Sequence, residues 1–301
     1  MTEPQYLPIE QRTVDTQYKD CLRKIKDEGV LVKHPFQTEG RFTLLTLPPM
    51  IYKLSNGFPM LTERKICFWR KPIQELFAFV NGVRDAKVLA EEWGVNWWME
   101  KWATSEKCAE FGLEPYDMGP GSYGPGFATR PPESFNQFEH LIKQIKQYPS
   151  VATHKVSAWI PEYCLGHENW QRKVVVAPCH GDVEVTILNN KLTLRMDQRS
   201  DDFPIGHPSN MIQYSALTLA LAHVTGYEPY MFIHAPHNAQ IYERHMGDVE
   251  KILDRPSHTF PTMRLTDEGK KLTSIFDFRA KHFELSDYVS ESAMELEDAV
   301  I

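Results

Sequence analysis

The stretch from Val174 to Asn210 constrains the fold of this chain more than any other part of the sequence. Apolar and polar residues alternate from Val183 to Ile187, which predicts a half-buried strand. A polar turn at 188–191 leads into a second alternating run at Leu192–Met196. We therefore predict a β-hairpin whose second strand returns toward the residues that precede the first.

Such a hairpin would bring a cysteine and an arginine into one pocket. Cys179 precedes the first strand, and Arg199 follows the second, between Gln198 and Ser200. The thiolate is the nucleophilic form of cysteine, and a nearby cation favours it. Cys179 is therefore a candidate nucleophile. The alternative is a buried structural cysteine, a common state of a lone cysteine.

Length and composition indicate a globular intracellular protein. The 301 residues are 42% hydrophobic, enough for a substantial core. A net charge of -7 argues against a nucleic-acid partner. We find no targeting segment and no apolar run of membrane-spanning length, so we expect no membrane partner. Five scattered cysteines without a CxxC pair favour a reducing, cytoplasmic location and no metal site.

Apolar periodicity places helices around the hairpin. We predict helices at Gln17–Gly29, Pro72–Gly82, Phe135–Tyr148 and Ser209–Val224, the last of them a core helix. The other predicted segments are an N-terminal arm at 1–15, β-rich pieces at 30–59, an exposed insertion at 104–117, a glycine-rich turn at 118–127 and a last strand pair at 274–288.

Several motifs together resemble one known family. APCHGDVEVTI followed by LTLRMDQRSDDFPIGHPSNMIQYSAL is similar to the signature region of the thymidylate synthase family, which includes the pyrimidine nucleotide hydroxymethylases. Further matches are SNGFPMLTERK, PIQELFAFVNG, VNWWMEKWA, MGPGSYGPGF, IYERH and a terminal Ala-Val-Ile. The resemblance implies an α+β fold with a large mixed β-sheet flanked by helices, forming one catalytic domain over 16–301 that dimerises through the sheet.

The resemblance also implies folate-dependent one-carbon transfer to a pyrimidine nucleotide. Cys179 would add to C6 of the ring, so that C5 becomes nucleophilic and attacks the methylene carbon of 5,10-methylenetetrahydrofolate. Glu75 would act through ordered water at the 4-substituent of the ring, and Tyr123 would assist loss of the C5 proton. Hydride from the folate would then give a methyl group, whereas water would give a hydroxymethyl group.

Binding residues are implied in the same way. The nucleotide would contact Arg199 and Ser200 at its phosphate, Asn210 at its pyrimidine edge and Tyr242 at its sugar, with Gln240, His180 and Gln198 nearby. The folate would contact Trp98, Trp102, Asp202, Gly206 and Ile301. The C-terminal segment 289–301 would close over the folate as a flap.

The chain departs from the family pattern where the phosphate would bind. Gln37-Thr38 stands where relatives have an Arg-Thr pair, and Ala152-Thr153 stands where they have two adjacent arginines. Three of the four phosphate arginines are therefore absent, and Arg199 is left. Arg41, His154 or Lys155 would have to compensate, or the 5′ group of the substrate differs from the usual phosphate.

Other departures concern the pocket wall and the sugar site. His207 and Ser209 replace apolar residues, and Gln240 replaces a sugar-binding histidine. A polar wall with room for water favours hydroxymethylation. These differences favour a hydroxymethylase or an unusual (d)UMP/(d)CMP-type substrate over a conventional thymidylate synthase. Asn210 favours uracil, although an amide that can flip decides little by itself.

Two other classes of function remain as alternatives. The first is a nucleotide- or folate-binding homologue without catalysis. The second is a cysteine hydrolase, which would need a base beside Cys179; His180 would point to the opposite face of an extended strand. His234 and His237 could suggest a metal, but they have no third ligand at a suitable spacing, so we predict none.

Overall fold

A computed structural model describes residues 3–33, 39–128 and 135–296 of the chain. Its α-helices are α1 (Gln17–Glu28), α2 (Arg70–Val80), α3 (Ala86–Glu91), α4 (Ser105–Glu110), α5 (Tyr123–Ala128), α6 (Gln137–Gln147), α7 (Pro161–Cys164), α8 (Gly206–Thr225) and α9 (Met246–Asp254). Its strands are β1 (Val30–Lys33), β2 (Gly40–Leu44), β3 (Met50–Lys53), β4 (Lys155–Val156), β5 (Asp182–Leu188), β6 (Lys191–Asp202), β7 (Glu228–Tyr242), β8 (Thr262–Leu265) and β9 (Phe283–Ser286).

Strands β1 to β7 form one mixed sheet. Its order is β1-β2-β7-β6-β5-β4, and β3 pairs with another part of the long strand β7. β6 and β7 run parallel, whereas the remaining pairs are antiparallel. Helices pack against this sheet. The architecture confirms the predicted α+β class with a large mixed sheet.

Helix α8 is the core helix that its sequence predicts. Side chains on nearly every side of it are buried, because it lies on β6 and β7 and also packs against α2. It ends at Gly226, whose left-handed φ of +87° allows its N–H to bond the carbonyls of Ala222 and His223. The polar residues that α8 carries are therefore placed in a largely apolar interior.

The predicted hairpin is confirmed. Asn189 and Asn190 connect β5 to β6 with φ values of +50° and +61°, which are typical of a two-residue type I′ turn. Leu188 pairs with Lys191, and Asp182 pairs with Asp197 at the other end of the ladder. This register returns the chain toward Cys179.

Two local predictions are wrong. Residues 275–277 form a 3₁₀ turn instead of a strand, and β9 pairs with β8. The predicted glycine-rich turn contains α5. A Cβ on Gly124 or Gly126 would lie 2.1 or 2.2 Å from a backbone oxygen of Val83 or Ala158, so these glycines allow the helix to approach its neighbours closely.

The predicted arm and insertion contact the rest of the domain. In the arm, Arg12 donates to the Phe260 carbonyl at 2.9 Å and to Thr262 Oγ1 at 2.7 Å. Within 104–117, α4 buries Cys108. In the predicted flap, the Glu291 N–H donates to the Thr62 carbonyl. None of the helices in the described ranges is both long enough and apolar enough to cross a bilayer.

Candidate active site

The hairpin places Arg199 against Cys179. The N–H of Arg199 donates to the Cys179 carbonyl at 2.8 Å, and its Nη2 lies 3.6 Å from the Cys179 Sγ. The Cys179 N–H donates to the hydroxyl of Tyr123 at 2.8 Å. Three predicted site residues from distant parts of the chain therefore meet at one thiol.

Backbone carbonyls hold the guanidinium of Arg199 in this position. Its Nε donates to the Pro178 carbonyl at 3.1 Å and its Nη2 to the Ala177 carbonyl at 3.3 Å, while the Trp159 ring lies beneath it at 5.1 Å. Burial raises the pKa of the Cys179 thiol, and the Arg199 charge opposes that rise. The arginine therefore favours the nucleophilic thiolate against the cost of burial.

His180 is oriented away from a role as the base for this thiol. Its Nδ1 lies 2.7 Å from the Tyr214 hydroxyl, and its ring stacks on Tyr123 at 4.5 Å. Burial lowers the pKa of His180 to about 3, so the imidazole is neutral at physiological pH. A cysteine hydrolase built on a Cys179–His180 ion pair lacks support in this geometry.

Glu75 lies on α2, in a buried cage of hydrogen-bond donors. The indole N–H groups of Trp97 and Trp98 donate to its Oε1 at 2.6 and 2.5 Å, and Gln213 Nε2 donates to its Oε2 at 2.7 Å. Burial raises the pKa of Glu75 to about 7, while these three donors oppose the rise. Such a carboxyl can exchange a proton near neutral pH, as general acid–base catalysis requires.

A continuous row of side chains extends from Glu75 past Gln213. Asn210 Nδ2 donates to Gln213 Oε1 at 2.9 Å, and Gln198 Nε2 donates to Asn210 Oδ1 at 2.9 Å. Gln198 Oε1 then lies 2.6 Å from Nε2 of His234. We call this row, His234–Gln198–Asn210–Gln213–Glu75, the amide relay. It unites Glu75, Asn210 and Gln198, which sequence analysis places in the site separately.

A second buried group adjoins the relay. Asp201, His207 and His234 bring metal-ligand atoms within 4.8 Å of one another. However, the two imidazole rings are stacked at 4.1 Å and 3° apart in plane, so their lone pairs run side by side instead of converging on one ion. His207 Nδ1 is also hydrogen-bonded to Asp201 Oδ2 at 2.7 Å. This geometry favours a hydrogen-bonded cluster over a metal centre.

His207 is not exposed at a pocket wall, contrary to our sequence-based expectation. Its side chain is fully buried between the rings of Phe203 and His234. Burial lowers the pKa of His207 to about 3 and raises that of Asp201 to about 7. His234 and His237, which the sequence analysis considered as possible metal ligands, differ in exposure. His234 is buried and His237 is exposed.

The residues implied for folate binding fit a pterin in part. Neither carboxylate oxygen of Asp202 has a hydrogen-bond partner of normal geometry among the described residues, and both are buried. Burial and the neighbouring Asp201 raise the pKa of Asp202 to about 7. A Cβ at Gly206 would lie 3.7 Å from the Asp202 Cβ, so the two residues are neighbours. The carboxylate oxygens of Asp202 can accept hydrogen bonds at this position, and the N–H groups of a pterin ring are suitable donors.

The tryptophans form a perpendicular pair instead of two parallel platforms. Trp98 is 3% exposed, and Trp102 packs edge-to-face on it at 4.9 Å. The Trp98 ring also lies 6.2 Å from that of Tyr123. Trp98 therefore connects the Glu75 cage to the tyrosine at Cys179. The predicted contact of Ile301 with folate lies outside the described residues.

The implied phosphate and sugar residues lie at the paired ends of β6 and β7. Gln240 Nε2 donates to Ser200 Oγ at 3.1 Å, and Asp202 is opposite Gln240 in the parallel register. Tyr242 is buried two residues beyond Gln240. Asn210, near the start of α8, lies beside this end of β6, because Gln198 Nε2 donates to its Oδ1 at 2.9 Å.

Two cations considered as replacements for the missing arginines are already paired. Lys155 Nζ lies 2.8 Å from Glu184 Oε1, and His154 Nδ1 lies 2.9 Å from Gln144 Oε1. The pocket of about 250 Å³ beside the thiol is lined by Trp159, Pro178, Cys179, His180, Asp182, Asp197 and Arg199. The residues Gln37-Thr38 lie outside the described part of the chain. Of the two carboxylates at this mouth, that of Asp197 is paired with Arg195, whose Nη2 lies 2.6 Å from its Oδ1.

Sequence reasoning missed Gln213, Trp97 and Tyr214. Gln213 stands three residues after Asn210, so both lie on one face of α8, and a polar residue within so apolar a helix was an available signal. Trp97 adjoins Trp98 in the tryptophan-rich motif. For Tyr214, the contact with His180 depends on tertiary packing, and no sequence pattern indicates it.

Comparisons with known proteins identify the class to which this fold and site belong. A family model described as thymidylate synthase matches residues 16–300. The chain therefore belongs to the thymidylate synthase family. It is 31% identical over 264 residues to the bifunctional dihydrofolate reductase-thymidylate synthase 2 of Arabidopsis thaliana, covering 83% of this chain. The match spans 44% of the length of that relative.

The contact between Arg199 and Cys179 predicts the reactivity of the thiol. In Arg199→Gln, the thiol pKa should rise, and alkylation of Cys179 by iodoacetamide should slow by up to about tenfold for each pKa unit. Peptide mass spectrometry at several pH values measures the rate. Cys67 is exposed and serves as an internal control. Equal rates at Cys179 in both proteins would contradict the assigned role of Arg199.

The buried Glu75 predicts a pH-dependent stability difference. Its folded pKa of about 7 exceeds the ordinary 4.5, so the folded state disfavours the carboxylate, and wild type loses stability as pH rises from 4.5 through 7. Glu75→Gln removes this loss. The unfolding free energy of the variant minus that of wild type should therefore grow by about 2–3 kcal/mol over this range and level off above it. Urea titrations between these pH values measure the difference; a flat profile would show that Glu75 has an ordinary pKa.

Proposed function

We propose that the chain transfers a one-carbon unit from 5,10-methylenetetrahydrofolate to C5 of a pyrimidine nucleotide. The observation that carries the proposal is the convergence of Cys179, Arg199 and Tyr123 next to the Glu75 cage. Family membership supports this chemistry, and one relative is named a bifunctional dihydrofolate reductase-thymidylate synthase, which supports a folate as co-substrate.

Cys179 begins the proposed reaction. Its sulfur forms a bond to C6, and the displaced electron pair makes C5 nucleophilic, with negative charge at the 4-oxygen. Glu75, with a pKa of about 7, supplies or accepts the proton at that oxygen through water. Arg199 stabilises the thiolate before attack and again when the C–S bond breaks.

Tyr123 acts as a hydrogen-bonding group. Burial raises its pKa well above the usual value, so the phenol keeps its proton, and the adjacent Cys179 N–H already donates to its oxygen. The hydroxyl can therefore orient a water that removes the C5 proton once C5 has bonded to the methylene carbon. The folate supplies that carbon and leaves as its C–N bond breaks, so an exocyclic methylene remains on C5. Hydride from the tetrahydrofolate or water then adds to this methylene, and the C–S bond breaks to release the Cys179 thiolate.

We further infer that the substrate or product differs from those of a conventional thymidylate synthase. The carboxylate of Asp182 beside Arg199, together with the paired Lys155 and His154, supports a 5′ group other than an ordinary phosphate dianion. Ser209, which adjoins Asn210 on α8, is only partly buried, and a hydroxyl at this position can hold an ordered water, which supports hydroxymethylation. Conventional methylation of dUMP is the alternative.

Product analysis tests the reaction. The protein and methylenetetrahydrofolate are incubated separately with dUMP, dCMP, UMP and CMP, with Cys179→Ser as control. We expect one nucleotide to gain a single carbon, and the variant to lose at least about a thousandfold in rate, because a hydroxyl is a far weaker nucleophile. Mass spectrometry separates methyl from hydroxymethyl products, and dihydrofolate absorbance reports hydride transfer.

Binding without catalysis is the remaining alternative. A 5-fluoropyrimidine nucleotide with folate should form a covalent adduct at Cys179, detectable by mass. If no nucleotide gains carbon and no adduct forms, the proposed reaction is wrong and the non-catalytic homologue is favoured.

We also infer a homodimer that forms through the sheet. All four residues of β1 are exposed, including Val30, Leu31 and Val32, and Ile51 on β3 and Leu188 on β5 are exposed as well. Apolar strand surface of this kind is typical of protein interfaces. Light scattering of the purified chain should give about twice the monomer mass. A monomer mass at micromolar concentration would contradict the inference.

A further inference from the structure

The amide relay has a single direction along its whole length. Gln198, Asn210 and Gln213 each turn their NH₂ group toward Glu75 and their oxygen toward His234. An amide reverses its donor and acceptor when it flips. Because each member bonds the next, one flipped amide would place two donors or two acceptors in contact, so the amides can only flip together.

The Glu75 end opposes such a reversal. Trp97 and Trp98 can only donate, and both donate to Oε1 of the carboxylate. The ionised carboxylate accepts at Oε2 from Gln213 Nε2. A reversed Gln213 would turn its own oxygen toward this carboxylate, and two buried acceptors would face each other.

The His234 end opposes it as well. The oxygen of Gln198 can only accept, so Nε2 of His234 must carry the proton that they share. Gln198 Nε2 also donates to the Ser200 carbonyl at 3.1 Å, and a flip would set two carbonyl oxygens against each other there. His234 and Ser200 therefore hold Gln198 in one orientation.

The surroundings of His234 suit a neutral imidazole with its proton on Nε2. The ring is fully buried and stacked on His207, and its Nδ1 has no hydrogen-bond partner among the described residues. A proton on Nδ1 would be a buried donor without an acceptor, which is costly. Burial, followed by the nearby His207, lowers the pKa of His234 well below its usual value.

The relay leaves Asn210 with one N–H and one lone pair for a ligand. Its Nδ2 lies on the Gln213 and Glu75 side, and its Oδ1 lies on the Gln198 and His234 side. Under the proposed function, Glu75 serves the 4-substituent of the pyrimidine, so the free N–H of Asn210 faces that substituent. A 4-oxo group accepts this N–H, and the adjacent N3–H donates to Oδ1. A 4-amino ring presents the opposite pattern.

We propose that His234, acting through Gln198, is a positioning residue that fixes the amide of Asn210 in the one orientation that pairs with a 4-oxo pyrimidine. The proposal rests on the proposed function for the placement of the ring. It assigns a role to His234, Gln198 and Gln213 together, none of which has to touch the base.

A pair of variants of matched size tests the proposal. His234→Met removes the donor to Gln198, whereas His234→Gln keeps an N–H at the same reach. Calorimetry without folate measures the dissociation constants of UMP and CMP, and of dUMP and dCMP. We expect wild type to prefer the uracil nucleotide, the Met variant to lose at least about tenfold of that preference, and the Gln variant to recover most of it.

The preference ratio separates positioning from a merely structural role. A general loosening of the site would weaken both bases equally and leave the ratio unchanged, which would overturn the proposal. Equal binding of both bases by wild type would overturn it too. His237→Gln is the control, because His237 is exposed on the same strand and should leave the ratio as in wild type.

Nuclear magnetic resonance tests the positioning role of His234 in wild-type protein, independently of turnover and of the folding of the variants. Long-range ¹H–¹⁵N spectra should show His234 as the neutral Nε2–H tautomer near neutral pH, with the resonance assigned by its loss in His234→Gln or by sequential assignment. An Nδ1–H tautomer would overturn the proposal. If carbon transfer alone fails, the proposed reaction is refuted. The tautomer of His234 and the binding ratios would still test its positioning role.

Discussion

The hydrogen bonds that converge on Glu75 are the constraint on which the site depends. A carboxylate buried beneath a core helix would be neutral or displaced without them, because charge is costly in an apolar interior. Burial raises its pKa to about 7, and three donors, from two indoles and one amide, oppose a larger rise. The same requirement applies along the amide relay. Each amide donates to the neighbour on its Glu75 side, and its own oxygen must accept from a donor on the other side.

The thiol site solves a similar problem in a different way. The backbone of Cys179 is hydrogen-bonded to Tyr123 and Arg199, and the Arg199 guanidinium beside the sulfur is itself hydrogen-bonded to the carbonyls of Ala177 and Pro178. The cation is thus positioned before any ligand arrives, and little reorganisation is required when charge develops on sulfur. The same rigidity limits how far Arg199 could move to meet a distant anion.

The chain therefore combines a closely packed candidate site with departures from the family pattern at its periphery. The candidate catalytic groups are packed and hydrogen-bonded, while acidic residues line the mouth and two cations near β4 and α6 are already paired. His207, a polar residue at a position where relatives have an apolar one, is part of the buried core. It is hydrogen-bonded to Asp201 and stacks on His234. Under the proposed function, this divergence corresponds to a change in which nucleotide the site accepts, with the residues proposed for carbon transfer kept.

Local patterns in the sequence determined a large part of this structure. The periodicity of α1, α2, α6 and α8, the Asn-Asn turn and the alternation of β5 and β6 are short-range features, so the meeting of Cys179 and Arg199 could be predicted from them. Tertiary structure alone decided the pairing of β8 with β9, the helix at Tyr123 and the amide relay. The relay joins α2, β6, α8 and β7, and its direction follows from which buried atoms must donate and which must accept, a condition that exists only once distant elements are packed together.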